Sequence, residues 1–186
     1  MNVPHHIFLI GLSGSGKSAV GKILAKRLHR PLADIDRLIE KQTHRTINVI
    51  FEQKGEAAFR KMESKAIMKT CFKRNPHYII ALGGGAFEKY GNRKIVSSCG
   101  ISVWLRCSLE VLSQRLKNKT DRPLLRNKRL KADSDRQELK KRLKALLKKR
   151  AKNYGKADIN VSTSGKTPLA VSFEIIKKIK NKYEAY

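Results

Sequence analysis

Cysteine is scarce. There are only three, Cys71, Cys99 and Cys107, an odd number with no pair at metal-ligand spacing. That argues against a disulfide framework and a cysteine metal site, and predicts ordinary reduced thiols in a cytoplasmic protein. No apolar run approaches the roughly 20 residues that a membrane-spanning helix needs. The N-terminus has no charged start, long apolar stretch or small-residue cleavage site, so no secretory leader is expected. Internal repeats and long linkers are also lacking, which fits one domain over residues 1–186. Acidic side chains are few as well. Asp and Glu number 15 against 42 Lys and Arg, a formal net charge of +27. Such a balance suits a nucleic acid, a membrane surface or small anionic substrates. Because the charges spread along most of the chain, a solvated basic surface with anionic substrates is the favoured reading, with neither membrane nor nucleic acid as partner.

What is present is dominated by Gly11-Leu12-Ser13-Gly14-Ser15-Gly16-Lys17-Ser18, the pattern G-x-x-x-x-G-K-S. The run His6–Ile10 before it is apolar enough for a buried strand. Ala19, Val20, Ile23, Leu24 and Ala25 after it fall at helical spacing. Strand, glycine loop and helix form the context of a phosphate-binding loop. Its backbone N–H groups close on an anion and the helix aims its positive dipole end at the same place. The phosphate cradle is assigned to Gly14, Ser15, Gly16, Lys17, Ser18 and Ala19. Lys17 is placed to reach the β- and γ-phosphates of a nucleotide, and the Ser18 hydroxyl to ligate Mg²⁺.

Further along, the strand Pro31–Ala33 runs into Asp34-Ile35-Asp36. Two carboxylates two residues apart share one side of a strand end, where open parallel sheets bind ligands. One can hold hydrated Mg²⁺ and the other can accept a substrate hydroxyl proton; the plainer reading makes Asp36 a helix N-cap. Helices are expected over Thr46–Lys54 and, after Gly55, from about Glu56 to Phe72. By spacing alone Arg60 reads as a solvated surface residue. The strand Tyr78–Leu82 ends in Gly83-Gly84-Gly85, a costly run unless a ligand or second backbone approaches closely. A helix from about Glu88 to Ser97, the strand Ile101–Leu105 and a helix capped by Ser108 follow. The polar stretch 117–125 reads as a mobile segment over the site, with Arg115 and Arg122 as candidate phosphate or base contacts. A basic helix with Leu139, Leu143, Leu146 and Leu147 on one face, the strand Asp158–Val161 and a helix from Pro168 complete the chain. Strands alternating with helices predict a parallel α/β sheet.

Taken together these residues resemble the shikimate kinase family over nearly the whole chain. The match rests on the Gly11–Ser18 loop, Asp34-Ile35-Asp36 with Ile39-Glu40, Gly55-Glu56 leading to Phe59-Arg60 and Glu63, Gly83-Gly84-Gly85, Arg122-Pro123-Leu124-Leu125, and Arg150 with Tyr154. The resemblance implies a P-loop kinase of the nucleoside-monophosphate-kinase type, with a five-stranded parallel sheet flanked by helices and a mobile lid. It implies transfer of the ATP γ-phosphoryl group to the 3-hydroxyl of shikimate, with Mg²⁺, in aromatic amino-acid and chorismate biosynthesis. By matching position, Asp36 holds the substrate hydroxyls and serves as base, and Asp34 sits near the metal. Arg60 and Arg150 grip the shikimate carboxylate, and Gly83, Gly84 and Gly85 contact the ring. Lys17 and Arg122 stabilise the transferring phosphoryl group, while Arg115 and Pro168 flank adenine. Residues 34–62 become the substrate-binding region, 115–135 the lid, and a monomer is expected.

Two other readings compete. A gluconate kinase would share the phosphate loop, but the Asp pair, Arg60, the triple glycine and Arg150 favour shikimate. A nucleic-acid-binding module using ATP as a switch needs aromatics within the basic run, and Tyr154 is the only one between Arg126 and Lys156.

Overall fold

The computed structural model describes residues 5–72, 76–116 and 132–184, with the side chains of 132–136 and 184 left aside. The expected lid contact Arg122, most of the 115–135 lid and Asn75 lie outside the described residues.

Five strands form one parallel sheet in the order β2-β3-β1-β4-β5. They are β1 (His6–Ile10), β2 (Leu32–Asp34), β3 (Ile79–Ala81), β4 (Gly100–Arg106) and β5 (Ile159–Ser162). The connecting helices are α1 (Lys17–Arg27), α2 (Ile35–Thr43), α3 (Ile47–Cys71), α4 (Tyr90–Cys99), α5 (Leu109–Leu116), α6 (Ala132–Tyr154) and α7 (Pro168–Glu184). β1 is fully buried along its length and pairs with β3 on one side and β4 on the other, in register Phe8 with Ile80 and with Ser102.

Alternation along the strands makes two cores. Ile7, Leu9, Ile79 and Val103 face a cluster closed by Val20 and Leu24 of α1 and Val171, Ile175 and Ile179 of α7. Phe8, Ile10, Ile80 and Leu82 face the other, closed by Ile39, Phe59, Ile67, Leu112, Leu143 and Tyr154. The second layer is the thicker one, and it carries the helices that reach over the C-terminal ends of the strands.

The break expected at Gly55 is present: within α3 this residue takes the non-helical φ 74° and ψ 170°, so the run is two helical segments that meet at a kink. Phe51 and Phe59 pack across that kink with ring centroids 4.8 Å apart. Two other local expectations change. Asp34, not Asp36, caps α2: its Oδ1 accepts from the Arg37 N–H at 3.4 Å, which leaves Asp36 in the first turn. Glu88 does not begin α4. Its N–H donates to the Gly85 carbonyl at 3.1 Å, which closes a 3-10 turn over Ala86–Glu88. All three cysteines are free thiols, and burial pushes the Cys71 thiol well above its usual value. Among the described residues no helix is long and apolar enough to cross a membrane.

Asp158 ties the start of β5 to β4. Its Oδ2 accepts from the Ser102 N–H at 2.9 Å and the Ser102 hydroxyl at 2.6 Å, and its Oδ1 accepts from Lys182 at 3.3 Å. Partial burial works to raise its pKa, but those hydrogen bonds and the Lys182 charge leave the carboxyl below the ordinary value of 3.8. A depressed carboxyl pKa stabilises the fold above its ordinary value and loses that contribution as pH falls through the depressed one. Asp158→Ala is therefore expected to destabilise by about 1–2 kcal/mol at pH 7. In urea melts the gap to wild type should shrink below pH 3.8.

Candidate active site

The phosphate loop, Asp34 and the glycine run all lie at the C-terminal ends of strands, and helices α2, α3, α5, α6 and α7 add the rest. The loop 11–16 follows β1 and delivers Gly16, at φ 99°, as the N-cap of α1. Lys17 folds back so that its Nζ donates to the Gly11 and Leu12 carbonyls at 2.9 and 3.0 Å. The Ser18 hydroxyl donates to Asp34 Oδ2 at 3.1 Å, which joins the phosphate loop to the end of β2. Arg115, in the last turn of α5, donates to the Gly14 carbonyl at 3.2 Å.

Gly14, Gly16, Lys17, Ser18, Ala19, Asp34, Arg115 and Pro168 line one cavity of about 480 Å³. Ser15 is set apart from them. It is 1 % exposed, its Oγ has no hydrogen-bond partner among the described residues, and it lines a neighbouring hollow of about 470 Å³ with Trp104 and Cys107. A tighter hollow of about 70 Å³ lies beside the first, lined by Asp36, Arg60, Glu63, Gly83, Gly84, Gly85 and Arg150 with an apolar wall that includes Phe59 and Leu146. Ser13 and Asp36 line both cavities. The two cavities thus adjoin, with a carboxylate between them.

The three glycines are explained by what faces them. A Cβ on Gly83 would lie 2.3 Å from Glu63 Oε1 and 2.8 Å from Asp36 Oδ1. On Gly84 it would lie 3.1 Å from Arg150 Nη1, and on Gly85 2.4 Å from Arg60 Nη2. Four charged groups from α2, α3 and α6 therefore rest on a bare backbone. Tyr154, fully buried beneath Trp104, donates its hydroxyl to the Gly84 carbonyl and fixes the run from below.

Both arginines are held by carboxylates. Arg60 Nη1 donates to Glu63 Oε2 at 2.8 Å and Nη2 to Glu56 Oε1 at 2.9 Å. Arg150, 6 % exposed, donates from Nε to Glu88 Oε1 at 2.6 Å. Glu63 is wholly buried; burial raises its carboxyl pKa against the opposing pull of Arg60. Arg60 itself is not the solvated residue its spacing suggested, because Glu63 draws it inward. Sequence reasoning noted Glu63 but gave it no part. Its signal is its place, one turn after Phe59 and one turn before Ile67 on the apolar face of α3, where a charge must be paired.

The shikimate kinase family model matches residues 13–180. A shikimate kinase of Chlorobaculum tepidum is 40% identical over 180 residues, covering 94% of this chain and 91% of the relative. One of Persephonella marina is 37% identical over 175 residues, covering 94% and 99%. The solved shikimate kinase from Acinetobacter baumannii in complex with shikimate superposes with a TM-score of 0.85 at 31% identity, over 97% of this chain and 95% of that one. A gluconokinase from Sinorhizobium meliloti reaches a TM-score of 0.60 at 19% identity over 100% of this chain and 97% of that one, a likeness of fold alone.

The close approach at the glycines is directly testable. Gly83→Ala and Gly85→Ala should each destabilise by about 1–3 kcal/mol, because charged side chains must move off a crowded backbone. Gly91→Ala, in the first turn of α4 with nothing within 4 Å of the added carbon, should stabilise by roughly 0.5–1 kcal/mol. Denaturant melts of the three variants decide it.

Proposed function

The chain belongs to the shikimate kinase family, and on that premise we propose that it moves the γ-phosphoryl group of ATP to the 3-hydroxyl of shikimate across these two adjoining cavities. The observation that carries the reading is that Asp36 lines both cavities. A hydroxyl bound beside it in the small hollow would face a phosphate bound over Lys17 in the larger one. In the step, the bond from the shikimate oxygen to phosphorus forms as the bond from phosphorus to the β-phosphate oxygen breaks. The hydroxyl proton passes to the Asp36 carboxylate.

Substrate positioning falls to the arginines. Arg60 and Arg150 offer guanidinium groups to the shikimate carboxylate, and the bare Gly83–Gly85 backbone lets the ring approach. Phe51, Phe59 and Leu146 supply apolar surface around it. Residues 34–62 are then the substrate-binding region. ATP lies along the phosphate loop, with adenine between Arg115 and Pro168. Lys17, now hydrogen-bonded to its own loop, turns to the β- and γ-phosphates. Ser18 and Asp34 are hard oxygen donors 3.1 Å apart, a pair suited to Mg²⁺, held directly or through water. The ion supplies neutralisation of phosphate charge when bound. The part expected of Arg122 and of the 115–135 segment toward the phosphates falls mostly outside the described residues. A cytoplasmic monomer completes the proposal.

A coupled assay offered ATP with shikimate, then with gluconate, tests the substrate. Turnover with shikimate is expected, and phosphorylation of gluconate alone rejects the reading. Asp36→Asn should cut kcat by roughly 10²–10⁴ with an unchanged melt, and a near-normal kcat would remove the role given to Asp36. Arg60→Ala should act first on the shikimate KM.

A further inference from the structure

The carboxylate hollow is lined by two arginines, and one of them is oriented by a residue outside it. Glu88 does not line that hollow. It lines an outer cavity of about 370 Å³ on the far side of Arg150, together with Lys89 and Lys149. From there its Oε1 accepts from Arg150 Nε at 2.6 Å, with the two side chains 23 % and 7 % exposed. The opposite edge of the same guanidinium, at Nη1, lies against Gly84.

The turn that carries Glu88 is anchored on both sides. Phe87 beside it is 3 % exposed, and Asn92, 2 % exposed, donates to the Ala86 carbonyl at 2.9 Å. Arg93 donates to the Phe87 carbonyl at 2.8 Å and the Glu88 carbonyl at 2.5 Å. The Gly83 and Gly85 carbonyls accept from Ala86 and Glu88, so the turn is continuous with the glycine floor of the hollow. Both the acceptor and the floor therefore hold Arg150 through a single stretch of backbone.

We propose that Glu88 is a positioning residue for the substrate carboxylate: it fixes Arg150 by the Nε edge so that the Nη edge stays presented to the hollow. The inference rests on the shikimate kinase reading above. An arginine side chain has many rotamers, and a charge-assisted bond on one edge of its planar fork leaves the other edge set. Charge alone predicts the opposite effect, because a carboxylate behind Arg150 weakens its attraction for an anion. Orientation and charge can therefore be separated by substitution.

The experiment measures kcat, the shikimate KM and the ATP KM for wild type, Glu88→Ala and Glu88→Gln. Glutamine keeps the acceptor oxygen and removes the charge. Glu88→Ala should raise the shikimate KM about tenfold, with kcat and the ATP KM within about twofold. Glu88→Gln should stay at or below the wild-type shikimate KM. A shikimate KM unchanged in Glu88→Ala, lowered in both variants, or raised together with the ATP KM overturns the inference. If Glu88→Ala does not fold, Glu88→Asp, whose shorter arm retracts the acceptor, carries the same expectation of a raised KM. Wild-type turnover separates the levels. Shikimate phosphorylation with a normal Glu88→Ala KM rejects the part given to Glu88 alone, whereas a wild type that neither binds nor phosphorylates shikimate rejects both.

Discussion

Three residues without side chains allow four charged ones to meet. At Gly83–Gly85 the backbone is the floor of the hollow, and any added carbon would occupy the space of Glu63, Asp36, Arg150 or Arg60. Glycine in three consecutive positions is unfavourable for folding, by roughly 0.5–1 kcal/mol each relative to alanine. Two things offset that: the ion pairs that close over the run, and the Tyr154 hydroxyl, which donates to the Gly84 carbonyl. Without this floor, α2, α3 and α6 could still pack on the sheet, but their charged ends would not converge.

The sheet decides where the convergence happens. In the order β2-β3-β1-β4-β5, the phosphate loop leaves the central strand, and its neighbours β3 and β4 deliver the glycine floor and α5 with Arg115. β2 adds Asp34 and leads into Asp36, and α7, which follows β5, adds Pro168 at its start. Ligands of open parallel sheets bind at the carboxyl ends of strands, and here all five strands feed the same end. The formal charge of +27 suits that arrangement, since both proposed substrates are anions and a positive field raises their local concentration.

Much of this was legible beforehand. The phosphate loop, β1 at His6–Ile10 and the alternation of strands and helices follow from local pattern, because glycine spacing and apolar period are set by neighbours in sequence. The carboxylate pair and the triple glycine also stood out, as residues out of keeping with a strand end. What could not be read depends on packing across the chain. Whether Asp34 or Asp36 caps α2 turns on one dihedral at the strand end. Arg60 looked like surface because its partner Glu63 is buried by helices distant in sequence. Arg150 sits in a long basic run whose other members are mostly solvated, and only its approach to Glu88 and Gly84 sets it apart. Gly55 did announce the break that its non-helical backbone makes, but not the packing of Phe51 against Phe59 across it.

One bare stretch of backbone gathers guanidinium and carboxylate groups into a cradle suited to a small hydroxylated acid next to the phosphate loop. The decisive experiment is a crystal structure of the protein with ADP and shikimate. The shikimate carboxylate is expected between Arg60 and Arg150, the ring on Gly83–Gly85, and a hydroxyl at Asp36 directed toward the nucleotide. Shikimate bound elsewhere, or turned so that its carboxylate faces Asp36 and its hydroxyls face the arginines, would contradict that arrangement.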